Sequence, residues 1–158
     1  VSKPVYSVNI HRKRGRVVYK KIVLVSHGEL SHGMYHSLQM IIGKNDNLYH
    51  LKMMPGEHYS VVCDEVEKMA KENPETQFIV VADLLGGSVC NGCIPLIENE
   101  NIKLVSGMNM GLVIELLFAP APMSNQDIQE KIEACKDGIV LVSNEYINSQ
   151  DQSDDDFF

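Results

Sequence analysis

No apolar run in the 158 residues approaches the ~20 that a membrane span requires. The first twenty residues also lack the apolar centre of a signal peptide. A cytoplasmic protein without direct membrane insertion is therefore expected. Cysteine is sparse. Cys63, Cys90, Cys93 and Cys135 read as reduced thiols, not as a disulfide framework. Cys90-Asn91-Gly92-Cys93 has neither a second pair nor a suitably spaced histidine to close a four-ligand zinc site, so these thiols are expected to pack a helix against a sheet. Acid is missing from residues 1–20, which hold six of the 14 lysines and arginines (Lys3, Arg12, Lys13, Arg14, Arg16, Lys20). The remainder carries 8 basic against 21 acidic side chains, −13 within an overall −7. A body so acidic speaks against nucleic acid as the main ligand. The short basic stretch reads as a solvated tail, and residues 1–19 are expected to be a disordered or non-native extension.

What is present suits one domain with a real core, since 44% of the chain is hydrophobic and the length is too short for two comfortable units. Periodicity switches repeatedly between strand and helix. Lys21–Ser26 reads as a buried strand, and Leu30, Met34, Leu38, Ile41 and Ile42 follow at helical spacing until Gly43 ends the helix. Leu48–Met53 is a second strand. After Pro55-Gly56, Ser60 is placed to cap a helix with Val62, Val66, Met69 and Ala70 on its apolar face. Asn73-Pro74 stops it. Gln77–Ala82 is the third strand, and Ser88 starts a helix to about Glu98 that Pro95 should kink or end early. Ile102–Val105 is the fourth strand, followed by a helix over Asn109–Phe118. Beyond Pro120 and Pro122, Ser124 caps a helix with Ile128, Ile132 and Cys135 on one face, and Gly138 releases a short last strand, Ile139–Val142. The domain is expected to span 20–143, with 144–158 an acidic C-terminal tail in which Ser149–Phe158 is expected to be disordered.

Strands alternating with helices through short connections predict an α/β, doubly wound, mainly parallel sheet of order 2-1-3-4 with helices on both faces. In that order strands 1 and 3 are neighbours whose connections leave toward opposite faces, which opens a crevice at their carboxyl ends. Ser26-His27-Gly28 ends the first strand and Asp83-Leu84-Leu85-Gly86-Gly87-Ser88 follows the third. If Asp83 accepts the Nδ1 proton of His27, the ring is fixed in one tautomer and Nε2 presents its lone pair as a nucleophile. The amides of Gly86, Gly87 and Ser88, at a helix start, suit phosphoryl oxygens. The remaining histidines carry less. His32 and His36 are four apart on the first helix, a metal-compatible spacing that lacks a third ligand; His50 and His58 fall in a strand and a loop, and His11 in the basic arm.

Four loops in the right order at four strand ends carry a resemblance. Ser26-His27-Gly28, Met54-Pro55-Gly56-Glu57, Asp83-Leu84-Leu85-Gly86-Gly87-Ser88 and Ser106-Gly107-Met108-Asn109-Met110 together resemble the IIA component of the mannose (mannose/fructose/sorbose) family of the bacterial sugar phosphotransferase system, over roughly residues 20–142. Two positions depart from the family pattern. Val89 stands where a proline usually follows the serine, and the Asn-x-Pro turn reads Asn109-Met110-Gly111.

The resemblance implies that His27 receives a phosphoryl group from the histidine-containing phosphocarrier protein and passes it to a IIB component. It further implies that Asp83 orients the ring, that Gly86, Gly87 and Ser88 line the phosphoryl site, and that Asn109 and Met110 border it. Transfer between two phosphohistidines requires positioning and charge shielding, so neither a metal nor an organic cofactor is expected. A homodimer is expected as well, with the last strand, Ile139–Val142, either at the edge of its own sheet or exchanged between subunits. Alternatives are a phosphorylation-dependent regulatory module and the related dihydroxyacetone-kinase-linked phosphocarrier. A flavin or nucleotide site is disfavoured, because the loop after strand 1 lacks a Ser/Thr-rich phosphate cradle and only six tyrosines and four phenylalanines are available for stacking.

Overall fold

The continuous apolar runs Ile22–Val25 and Phe78–Ala82 are fully buried, because each lies in the middle of a sheet covered on both faces. A computed structural model describes residues 19–155; the extension expected over 1–19 lies outside the described residues, apart from Tyr19. Four strands, β1 (Tyr19–His27), β2 (Leu48–Met53), β3 (Thr76–Ala82) and β4 (Ile102–Ser106), form one sheet of order β2-β1-β3-β4. All neighbouring pairs are parallel. The expected fold class is therefore the observed one.

Alternation along the strands divides the core. Val23, Val25, Phe78, Val80 and Ala82 pack against Val62 and Val66 of α2 (Ser60–Glu72) and Val89, Cys90 and Cys93 of α3 (Ser88–Cys93). Ile22, Leu24, Ile79 and Val81 face the other way. They meet α1 (Leu30–Ile42), α4 (Met110–Phe118) and α5 (Asn125–Lys136) through Leu38, Leu112, Val113, Leu116 and Ile128. With α1 and α3 on opposite faces, the chain reverses its winding between β1 and β3, where such sheets open a crevice.

Several boundaries have local causes. Pro95 ends α3 early, and a 3-10 turn over Ile94–Glu98 carries that proline in its first positions, where its missing N–H costs nothing. Ser124 closes a reciprocal capping box with Asp127 at the start of α5. Ser60 differs from the expectation: it is the first helical residue of α2, and Tyr59 holds the cap position without a side-chain bond.

The C-terminal segment also differs. Among the described residues Ile139–Val142 joins no strand. The amides of Gly138 and Ile139 are spent on the carbonyls of Cys135 and Lys136, closing the end of α5, and the four apolar residues that follow pair with neither sheet edge. The tail is not irregular either. Asn144–Asp155 forms a further helix, α6, entered where Ser143 Oγ accepts the Tyr146 amide at 3.2 Å.

Candidate functional site

All four β-strands point their carboxyl ends to one edge, and the loops leaving them are tied together there. Gly28 N–H donates to the Met53 carbonyl at 2.8 Å, linking the exits of β1 and β2. The amides of Gly107 and Met108 both reach the Ala82 carbonyl, at 3.0 and 3.1 Å, so the loop after β4 folds over the end of β3. Gly28 turns sharply at φ 55°, a conformation that favours glycine, and α1 begins two residues later. The buried Ser26 hydroxyl accepts the Ser31 amide at 2.7 Å, and Ser31 Oγ donates to the Leu51 carbonyl at 2.8 Å. This clamp fixes the first turn of α1 to β1 and β2, and with it the turn that carries His27. Ser26 lies in the motif the sequence offers, but nothing in the spacing points to Ser31 as its partner.

His27 is held from two sides. Asp83 Oδ2 accepts the backbone N–H of His27 at 2.9 Å and bonds the ring Nδ1 at 2.8 Å, while Oδ1 accepts the Leu84 amide at 2.9 Å. A carboxylate held by backbone donors is a strong acceptor, which assigns the proton to Nδ1. Nε2 then carries the lone pair and accepts from the Ser88 hydroxyl at 2.9 Å. The imidazole side chain is 39% exposed and the carboxylate only 9%: a visiting group reaches the ring, not its anchor.

The diglycine turn contributes by shape. Gly86 has φ 81°, and its carbonyl accepts from Asn91 Nδ2 at 3.0 Å. A Cβ on Gly87 would lie 3.0 Å from His27 Cε1 and 3.2 Å from the Leu84 carbonyl oxygen, so only glycine lets the turn approach the ring this closely. Gly87 N–H already donates to Leu84 O at 3.1 Å. Of the three amides expected to face phosphoryl oxygens, this one is engaged within the turn.

Asn109 and Met110 stand at the same edge without touching the ring. Asn109 caps α4: its Oδ1 accepts from the Leu112 amide at 2.9 Å and its Nδ2 donates to the Gly107 carbonyl at 3.1 Å. Both residues line a cavity of about 480 Å³ that extends toward Cys135 and Ile139. Sequence reasoning paired His32 with His36 but left His50 apart, although the fold gathers all three. The i, i+4 spacing of the first two was the available signal, and only the approach of β2 to α1 adds the third. Burial, followed by repulsion from the neighbouring His32, holds the His50 ring below the ordinary histidine range.

The arrangement presents one oriented nucleophilic nitrogen, a buried carboxylate that stabilises positive charge on its ring, and a hydroxyl within reach of whatever bonds to it. The family model described as PTS system fructose IIA component matches residues 21–135. The chain is similar to the sorbose-specific EIIA component of the PTS system of Klebsiella pneumoniae, 25% identical over 113 residues that make up 71% of this chain and 83% of that protein. Among solved structures it is similar to the phosphotransferase system component EIIA from Streptococcus agalactiae, at 27% identity and TM-score 0.63, covering 77% of this chain and 96% of the other. It is also similar to the PTS IIA protein associated with the fucose utilization operon from Streptococcus pneumoniae, at 25% identity and TM-score 0.65, covering 81% and 96%.

Proposed function

Because the chain belongs to the PTS system fructose IIA component family, the mannose family of sugar phosphotransferase IIA components, we propose that it carries a phosphoryl group on His27 Nε2 in the cytoplasm. The group arrives from the histidine-containing phosphocarrier protein and leaves to a IIB component. The observation that carries this reading is the double grip of Asp83 Oδ2 on the backbone amide and Nδ1 of His27, which leaves Nε2 as the free nucleophile.

In the forward step the Nε2 lone pair forms a bond to phosphorus as the donor's phosphorus–nitrogen bond breaks, and the donor imidazole leaves with that electron pair. The His27 ring then bears positive charge, which the carboxylate at Nδ1 stabilises. Ser88 Oγ, released from Nε2, donates to a phosphoryl oxygen instead. Transfer to the IIB partner reverses these roles. The bonds formed and broken are nearly alike, so alignment and charge stabilisation supply the catalysis, and no metal or organic cofactor takes part. Leu84 and Leu85, in the turn that follows Asp83, are exposed, an apolar patch suited to protein partners and not to a free sugar.

We further propose a homodimer. Among the described residues no strand pairs with the outer edge of β4, and beside it Ile97, Leu104, Ile128 and Ile132 line a groove of about 330 Å³. Ile139–Val142 is an apolar segment able to add a strand to such an edge in a second subunit.

Incubation with phosphoenolpyruvate, enzyme I and the phosphocarrier protein should add one acid-labile, base-stable phosphoryl group, located by mass spectrometry at His27. Full labelling of a folded His27→Ala variant would overturn the assignment.

A further inference from the structure

The outer side of α1 carries a second group of imidazoles that phosphoryl transfer does not use. His32 and His36 are one helical turn apart, with ring centroids 4.5 Å from each other, and His50 of β2 lies 5.0 Å from His32. His32 Nδ1 donates to Glu29 Oε2 at 3.0 Å, while the other Glu29 oxygen takes the Lys52 ammonium. With its Nδ1 proton held there, His32 keeps a lone pair on Nε2. His36 Nε2 lies 2.8 Å from that atom, so the His36 N–H is the donor. Two ring nitrogens thus aim at one point with a single proton between them.

A metal ion fits in place of that proton, set to one side of the line between the two nitrogens. Two imidazole nitrogens bound at ~2.05 Å on adjacent positions of a square-planar or octahedral ion lie about 2.9 Å apart, whereas a tetrahedral ion needs about 3.4 Å. The observed 2.8 Å matches the nitrogen separation of the first geometry, and each ring need only turn by roughly 45° to aim its lone pair at the ion. The carboxylate behind His32 is the outer partner that metal-ligating histidines ordinarily have, fixing ring and tautomer. Among the described residues no hydrogen-bond partner meets the buried His50 Nδ1, an unmet demand in the same cluster that a water on the ion could satisfy.

We propose that His32 and His36 form a two-point chelate for a divalent transition ion of the Ni(II) or Cu(II) class, oriented by Glu29. Both Nε2 lone pairs bond the ion, and the His36 proton moves through water to its own Nδ1. Among the described residues no three His, Cys, Asp or Glu side chains are placed to hold one ion. Water therefore fills the remaining positions, and zinc, which favours a closed tetrahedral set, binds less well than copper. The site stands independently of the phosphoryl carrier reading.

Isothermal titration of the full chain with nickel chloride, in a metal-free and non-coordinating buffer at neutral pH, should show one ion per chain. His36→Gln keeps an N–H donor toward His32 but loses the ligating nitrogen, and should weaken nickel binding at least tenfold with circular dichroism unchanged. Binding should persist in His27→Ala. With copper, electron paramagnetic resonance should show coupling to two equivalent nitrogens, lost in His36→Gln. No measurable binding by the wild type, equal affinity in folded His36→Gln, or loss of binding in His27→Ala would each overturn the site.

Discussion

The carboxyl edge between β1 and β3 and the segment that follows α5 both expose side chains that folding usually hides, yet their surroundings are opposite. At the edge, His27 is 39% exposed while both ring nitrogens and its backbone amide are bonded to Asp83 and Ser88. In the segment, Ile139 and Leu141 are 80% and 87% exposed, and among the described residues neither belongs to a core cluster. Exposure with every polar atom tethered marks a group made ready for chemistry, because its orientation is already fixed before a partner arrives. Exposure of consecutive aliphatic side chains without cover marks a surface still to be paired. The first region is complete in one chain, and the proposed dimer would complete the second.

Removing the charge at the tethered region should have the largest effect. Asp83→Asn keeps the shape but loses the carboxylate that stabilises the ring as its Nε2 bonds phosphorus. Phosphoryl transfer, measured as initial rate of labelling, should fall at least about tenfold. An unchanged rate in a folded variant would make the aspartate a purely structural residue.

Crowding the ring should cost less. In Gly87→Ala the added Cβ sits 3.0 Å from His27 Cε1 and 3.2 Å from the Leu84 carbonyl, and overpacking of this kind costs at least ~1 kcal/mol. If the ring absorbs that cost by tilting off line, transfer slows about fivefold. Retention of the full rate would show that the diglycine turn moves instead of the histidine.

Much of the contrast can be traced to what a linear pattern contains. The β1 and β3 runs and the apolar faces of α1, α2 and α4 are local, and glycine or proline marks most of their ends. The placement of His27 beside Asp83 was accessible because strand order puts those ends together. The spending of individual hydrogen bonds was not. The Gly87 amide closes its own turn, Asn109 is consumed in capping α4, and one oxygen of Asp83 grips both backbone and ring. Such bonds depend on approach distances of about an ångström, which residue types do not encode. Ile139–Val142 fails as a strand reading for a different reason: β-propensity describes fit to a neighbouring strand, and among the described residues this segment pairs with neither β2 nor β4 at the sheet edges. Asn144–Asp155 lacks an apolar stripe and still forms a helix, so periodicity had nothing to report there.

A smaller effect is expected at the boundary between the two regions, where Ser124 caps α5. Ser124→Ala removes the hydroxyl that accepts the Asp127 amide and should lower stability by about 1 kcal/mol in denaturant titration, leaving the rate of labelling untouched. The pH dependence has a defined sign. Hydrogen bonds from the Ser124 side chain and backbone hold the Asp127 carboxyl below its ordinary 3.8. That contribution is present above 3.8 and fades as pH falls through the lower folded value. The difference between wild type and Ser124→Ala should therefore shrink in that acid window.

The smallest expected effect on folding is at Leu141, and it discriminates best between the two regions. A side chain 87% exposed in the single chain contributes little to its stability, so Leu141→Asp should shift unfolding by no more than about 0.5 kcal/mol. If Ile139–Val142 lies on a second subunit, the same substitution puts a charge into an apolar groove and weakens association, because an unpaired carboxylate loses its water without gaining a partner. Light scattering across a dilution series should then report a dimer for the wild type and for a chain lacking residues 149–158, and a monomer for Leu141→Asp. Labelling of His27 should survive in that monomer, since every group tethering the ring comes from one chain. A wild type that stays monomeric at all concentrations would remove the exchange while leaving the histidine assignment in place. Loss of labelling in a folded Leu141→Asp monomer would instead show that the tethered region depends on the second subunit after all.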